Sequence, residues 1–295
     1  MRLTFYIILI SIKLFGLFPF FLVYRISDFL RFFLYYVIKY RKKIVMQNLE
    51  RSFPEKDEKE IKKIAKAFYK HLCDLLVEGI KGFSMSKSTL HKRYKFKNPE
   101  LMREYYDKGI SVVSVGAHYG NWEWGIIIVP TEIQHKLYAF YTPISNKHLE
   151  RYITRERNKL GSHMINLKEL RNAFRINYNE PVTLFFGADQ NPSNPNATYW
   201  MTFLNQETGC LLGPEYFARR YKMPVVYYDV QRVKRGYYEV ELKKLEEHPE
   251  NTKPGELTEK YMRFVESIVR KKPENYLWSH RRWKHKRRGE NKIHE

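Results

Sequence analysis

The residue types that could do chemistry gather in one short stretch, Gly116-Ala117-His118-Tyr119-Gly120-Asn121-Trp122-Glu123. His118 follows a continuous β-branched run over 110–115 and precedes a glycine and the start of a helical pattern. A carboxylate beside an imidazole fixes its tautomer and stabilises its protonated form, which is what a general base for a hydroxyl needs. Glu123 lies five residues beyond His118. On one continuous helix the two would diverge by about 140°. They meet only if His118 sits on the turn and Glu123 on the first helical turn, and Gly120 permits such a turn. The competing reading is a histidine in a strand-to-helix turn that happens to precede a glutamate. The spacing is not H-E-x-x-H, which argues against a zinc protease. Neither Ser114 nor Ser145 has the flanking glycines of a G-x-S-x-G elbow, which argues against a hydrolase of that type.

Elements of two periods must position this stretch. From about residue 92 onward, strand-like and helix-like patterns alternate. Strands are expected over 110–115, 137–141, 164–167, 182–186 and 225–230, with 237–242 as an antiparallel partner. Helices are expected over 57–82, 122–129, 147–159, 168–178, 213–221 and 257–271, the last stopped by Pro273. Such alternation predicts an α/β domain, a largely parallel central sheet flanked by helices. In such sheets ligands sit at the carboxyl ends of the strands, where His118 falls. Residues 188–209 read as a long loop rich in Asn and Pro, long enough to be functional.

Composition narrows the class. The chain has 295 residues and a net charge of +21, with 29% charged and 43% apolar residues. It is neither a disordered polyelectrolyte nor a polytopic membrane protein. Two cysteines, Cys73 and Cys210, exclude a disulfide framework and a Cys-rich zinc module. Residues 1–50 and 271–295 each carry +6, so the excess lies at the ends. Residues 3–24 are apolar apart from a few small polar side chains and Lys13, long enough to span or nearly span about 30 Å of hydrocarbon. No alanine precedes Ala65, so a signal-peptide cleavage site is missing and a retained anchor is expected. Residues 29–38, followed by Lys39, Arg41, Lys42 and Lys43, read as an interfacial helix ending in a polybasic clamp on anionic lipid. That cluster places the following domain on the cytoplasmic side. The expected organisation is an N-terminal hydrophobic membrane anchor with its basic helix over 1–45 and an α/β domain over 46–295.

The stretch from His118 to Glu123 resembles the H-x4-D/E motif of the glycerolipid and lipid A acyltransferase superfamily. Later blocks narrow the resemblance. Tyr141-Thr142-Pro143 with Asn146, then Arg155-Glu156-Arg157 and Gly161, are similar to a family block in which an asparagine precedes a basic helix with a required arginine, and Arg157 matches that arginine by its spacing to Gly161. Gly187-Ala188-Asp189-Gln190 resembles the family's Asp-Gln block. Phe203-Leu204-Asn205 with Thr208, Gly213-Pro214-Glu215 with Ala218, and Pro224-Val225-Val226 resemble the segment beyond it. Residues 273–284, with Trp278, His280, Arg281, Arg282 and Trp283, resemble its C-terminal block. The loop after Gln190 departs from the family pattern by lacking an acidic residue that often follows Asp-Gln.

The late lipid A acyltransferases are the family so indicated. The resemblance implies transfer of a fatty acyl group from acyl carrier protein to a hydroxyl of a lipid A precursor or related glycolipid, at the cytoplasmic face of a bacterial inner membrane. It implies His118 and Glu123 as catalytic residues, and Arg157, Asp189, Gln190 and Asn121 on the substrate side. A thioester is already activated, so no cofactor and no metal is expected. Backbone N–H groups at the helix start near Asn121, or the Arg157 guanidinium, could stabilise an oxyanion, and an arginine can also grip a phosphate. Asp189 could order Arg157 or bind a sugar hydroxyl. Trp278, His280 and Trp283 suit an acidic carrier protein or lipid phosphate, or else a surface cap. A lysophospholipid or aminolipid acceptor stays open, although no Glu-Gly-Thr-Arg block occurs. A non-enzymatic binder of anionic polymer is the remaining class, and no zinc finger, RNP block or recognition helix marks the chain for nucleic acid.

Overall fold

The computed structural model describes residues 2–169, 179–196 and 198–287. The helix expected over 168–178 lies, all but its first two residues, outside the described residues. Seven strands form one sheet: β1 (Tyr94–Phe96), β2 (Val112–Gly116), β3 (Lys136–Tyr141), β4 (His163–Asn166), β5 (Val182–Gly187), β8 (Val225–Lys234) and β9 (Tyr237–Glu246). Their spatial order is β1-β9-β8-β2-β5-β3-β4. The five strands from β8 to β4 run parallel, β9 pairs antiparallel with β8, and β1 runs with β9. β2 is buried throughout, as its β-branched run requires of a central parallel strand. Val113 and Val115 face one apolar cluster and Val112 faces the other, so the sheet is covered on both sides.

The expected long loop over 188–209 instead contains a hairpin, β6 (Tyr199–Phe203) and β7 (Gln206–Cys210), turned by Leu204 and Asn205 in the left-handed region. Its inward residues, Trp200, Met201, Phe203 and Cys210, are buried, which a solvated loop would not allow. The Asn-Pro composition that suggested a loop is confined to the approach to β6.

Helices cover the sheet. α4 (Glu58–Gly82) starts at a capping box in which Asp57 Oδ1 accepts the Glu60 N–H at 2.8 Å and Glu60 reaches back to the Asp57 N–H at 3.1 Å. α5 (Lys87–Arg93), α6 (Glu100–Asp107), α7 (Trp122–Ile128), α8 (Lys147–Asn158), α9 (Gly213–Tyr221) and α10 (Glu256–Lys271) complete the domain.

The N-terminus differs from the expected anchor. The apolar run is split into α1 (Arg2–Leu17) and α2 (Phe20–Phe32) at Pro19, which has no N–H to continue a helix. Lys81 fills the break, donating from Nζ to the carbonyls of Gly16 and Phe18. At 1.5 Å per residue α1 covers roughly 24 Å, short of the ~30 Å of hydrocarbon. Among the described residues no helix is long and apolar enough to cross a membrane. The expected transmembrane span is therefore not formed.

α2 instead lies along α4, followed by a π-helical turn (Phe33–Val37) and α3 (Lys42–Ser52). Val23 is fully buried, and Tyr35, Val45 and Leu49 join the same cluster as Phe68 and Val113. Residues on both sides of the expected 45/46 boundary thus share one core. Of the basic cluster, Arg41 donates to the Ser279 carbonyl at 3.0 Å and Lys42 lies over the Tyr35 ring.

Candidate active site

The parallel register of β2 and β5 sets the geometry. Gly116 faces Gly187 at the carboxyl ends of the two strands. His118 and Asp189 each stand two residues beyond that pair, so the chain delivers them to the same place. Asp189 Oδ1 lies 2.7 Å from His118 Nδ1, and its Oδ2 accepts the His118 backbone N–H at 3.0 Å. The imidazole lies over Gly187, where a Cβ would stand 3.2 Å from Cε1. Trp122 meets the ring edge-on at 5.0 Å. Gly120 takes a φ of +64°, and its N–H donates to the Asn275 carbonyl at 3.1 Å. That conformation is costly for any residue with a Cβ.

Burial and charge oppose each other at this pair. Burial disfavours the imidazolium, but the Asp189 charge, its hydrogen bond and then the Glu123 charge outweigh it and raise the His118 pKa. Burial likewise disfavours the Asp189 carboxylate, yet His118 holds its pKa below the usual value. Asp189 is therefore ionised at neutral pH and accepts at Nδ1, so the neutral imidazole carries its proton on Nδ1. Nε2 keeps its lone pair. The His118 side chain is 22% exposed while Asp189 is 2% exposed, so the imidazole is reachable and the carboxylate that braces it is not.

The expected contact of Glu123 with the imidazole is not made. Glu123 is gripped by Arg157 from α8, Nη2 lying 2.8 Å from both oxygens and Nε 3.2 Å from Oε2. Glu123 acts on His118 only through its field. The reason is geometric: Asp189 reaches Nδ1 by strand register, whereas Glu123 lies on the first turn of α7. The Arg157–Glu123 pair is about three-quarters buried, and Arg157 Nη1 is left outside it. Arg155 turns to solvent and pairs with neighbouring Glu156.

The remaining expected residues divide. Asn121 is fully buried; its Oδ1 caps α7 through the Trp124 N–H at 3.0 Å and its Nδ2 donates to Glu78 at 2.7 Å. Its side chain is thus spent on the protein, and only its backbone is left for a ligand. Asp189 orders His118, not Arg157. Gln190 is half-buried beside it and makes no side-chain hydrogen bond to any described residue. Trp278 and Arg282 are buried in the core, not on a surface cap. Arg282 donates to Thr208 Oγ1 and the Gly209 carbonyl, both at 2.7 Å. His280 feels both Asp189 and His118, and burial pushes its pKa down to about 4. The sequence reading missed His71, Asp74 and Glu78, buried ionisable groups on α4 behind the His118 turn, of which burial drives the His71 pKa down to about 3 and the Glu78 pKa up to about 7. Their i, i+3, i+7 spacing on the apolar face of an amphipathic helix was the available signal.

A reachable imidazole braced by a buried carboxylate at the edge of a parallel sheet, beside a forked arginine–glutamate pair, is the equipment of a base-assisted group-transfer enzyme. The chain belongs to the bacterial lipid A biosynthesis acyltransferase family, whose model matches residues 1–285. Among curated relatives it is 24% identical over 261 residues to a lipid A biosynthesis palmitoleoyltransferase of Escherichia coli, covering 87% of this chain and 83% of that protein. A lipid A biosynthesis acyltransferase of Shigella flexneri matches to the same extent. The protein is accordingly an acyltransferase of lipid A biosynthesis.

Two outcomes follow from this geometry. Arg157→Lys keeps the charge but loses the fork, and kcat/KM should fall by about tenfold or more, whereas Arg155→Lys should stay within about twofold. Steady-state kinetics of the two variants side by side check this; equal small losses would remove Arg157 from the site. The second outcome concerns pH. An imidazole that is to take a proton must be neutral, so if His118 serves as the base the rate should fall as pH drops through its raised pKa. Asp189→Asn removes the main cause of the rise, so the acid limb should move to lower pH while the plateau falls by ~10²–10⁴. An unmoved limb would show that Asp189 does not set the His118 charge.

Proposed function

We propose that His118 is the general base for acyl transfer from acyl carrier protein to a hydroxyl of a lipid A precursor. The single observation that carries this reading is the His118–Asp189 pair, which locks the tautomer with Nε2 free at an accessible strand end. Nε2 takes the proton of the acceptor hydroxyl as its oxygen attacks the thioester carbonyl. The resulting imidazolium is held by Asp189 and, through space, by Glu123. The tetrahedral oxyanion collapses, the carbon–sulfur bond breaks, and the thiolate leaves with the proton returned by Nε2. One ester forms for one thioester lost. Arg157, pinned by Glu123 with Nη1 outside the pair, supplies positive charge for the oxyanion or for an anionic group of the acceptor. Gln190, beside Asp189, and the backbone at Asn121 complete the substrate side.

The acceptor is an amphiphile, and the exposed surface fits one. Ile10, Leu14, Leu17, Phe21, Phe29 and Phe32 on α1 and α2 are all more than half exposed. Contiguous apolar surface of this kind, flanked by bases, suits a helix lying in the interface of an anionic bilayer without spanning it. This supports a catalytic domain seated on the cytoplasmic face of a bacterial inner membrane. The net charge of +21 suits both anionic lipid and an acidic carrier protein.

His118→Ala should lower transfer by ~10²–10⁴ in purified enzyme. In cells it should reproduce the lipid A profile of the gene deletion, one acyl group short by mass spectrometry. Wild-type lipid A from the His118→Ala strain would overturn the mechanism. Replacing Phe21, Phe29 and Phe32 together by serine should weaken binding to anionic vesicles by about tenfold or more in flotation. Unchanged flotation of that variant would remove α2 from the membrane contact.

A further inference from the structure

The inner face of α4 carries His71, Asp74 and Glu78 in one row, all of them buried. Buried ionisable groups are costly unless partnered, and Asp74 and Glu78 are partnered. Outward, they hold α2. Asp74 accepts from Ser27 Oγ at 2.6 Å, and Arg235 bridges Asp74 to Asp28. Glu78 Oε1 accepts the Tyr24 hydroxyl at 2.9 Å. α2 therefore sets Tyr24 and Ser27 inward beside Val23 and Phe20, and turns Phe21, Phe29 and Phe32 outward.

Inward, the same row reaches the catalytic turn. Glu78 Oε2 accepts from Asn121 Nδ2 and from the Tyr238 hydroxyl, both at 2.7 Å, and the Glu78 carbonyl accepts Trp124 Nε1 at 2.7 Å. These partners are neutral groups. An amide can present either end to a carboxylate or to a helix N-terminus. Glu78 decides the matter: the Asn121 NH2 faces the carboxylate, so its oxygen faces the α7 backbone. The first turn of α7 carries Glu123, which pins Arg157.

We propose that Glu78 is a positioning residue for acyl transfer, tying the orientation of Asn121, and with it the Glu123–Arg157 pair, to the seating of α2 through Tyr24. This rests on the reading of the active site above. Glu78 touches no substrate; it acts through Asn121. Tyr24 gives the same carboxylate a second handle on the helix that carries the outward phenylalanines, so one side chain serves both the lipid-facing helix and the catalytic turn.

The test uses the full chain in mixed micelles, with a purified lipid A precursor and lauroyl-acyl carrier protein. Glu78→Gln should lower kcat by about tenfold with KM for both substrates within about threefold, because the geometry of the turn and not ground-state binding is lost. Asn121→Ser keeps a capping oxygen but not the amide link, and should lower kcat similarly. Tyr24→Phe, which leaves the carboxylate in place, should lower kcat by about threefold. The Glu78→Gln/Asn121→Ser double variant should be no worse than the poorer single one, since both cut the same link. Wild-type kcat in Asn121→Ser, or losses that multiply in the double variant, would overturn the proposal. If Glu78→Gln does not fold, Asn121→Ser and Tyr24→Phe decide it alone. His118→Ala separates the levels. If it stays active, the active-site reading fails; if it is dead while Glu78→Gln keeps full kcat, only the role of Glu78 fails.

Discussion

Strands β2 and β5 lie side by side with Gly116 facing Gly187, and the chemistry depends on that register. A slip of one residue would send either His118 or Asp189 to the opposite face of the sheet. Gly187 also leaves room for the ring, since a Cβ there would stand 3.2 Å from Cε1, whereas a Cβ at Gly116 would meet Phe185. Three features protect the register. The strands are buried on both faces, Ser114 and Thr183 share a hydrogen bond of 2.6 Å between them, and β3 and β8 close both flanks. The imidazole and its carboxylate brace are thus placed by backbone ladders and not by flexible side chains.

The second constraint is the buried polar row of α4. In a protein facing water on all sides, a helix such as α2 would turn its phenylalanines inward. Here the inward side meets Asp74 and Glu78, whose burial in a low-dielectric interior demands hydrogen-bond donors. Tyr24, Ser27 and Arg235 supply them. Phe21, Phe29 and Phe32 are left outside as a consequence, so the same residues that satisfy the core create the surface that suits lipid.

Much of this was legible in the sequence because it follows from short-range pattern. The β-branched run ending at Val115 gave β2, the 3.6-residue period over 57–82 gave α4, and 213–221 matched α9 to the residue. His118, Arg157 and Asp189 stood out by block order. What pattern could not supply was partnership. Spacing along the chain favoured Glu123 for the imidazole, whereas the partner is a residue 71 positions away that only strand order brings near. Hydropathy likewise suggested an anchor over 3–24 that spans or nearly spans the hydrocarbon, because it does not register that Tyr24 and Ser27 have buried partners. The hairpin over 199–210 was hidden by its Asn-Pro approach, and Trp278 by the basic residues around it.

The placement of α2 has a practical consequence for producing the protein. A routine effort to obtain a detergent-free sample would trim the apolar N-terminus near residue 45 or replace the exposed phenylalanines by polar residues. Trimming would strip Tyr24, Ser27 and Asp28 from Glu78, Asp74 and Arg235, and would open the cluster around Val45 and Leu49 to water. Polar replacement would remove the lipid-facing side of α2 while leaving Val23, Phe20 and the hydrogen bonds of Tyr24 and Ser27 to hold it on the core. The segment that makes the sample awkward to handle is also part of the wall behind its active site.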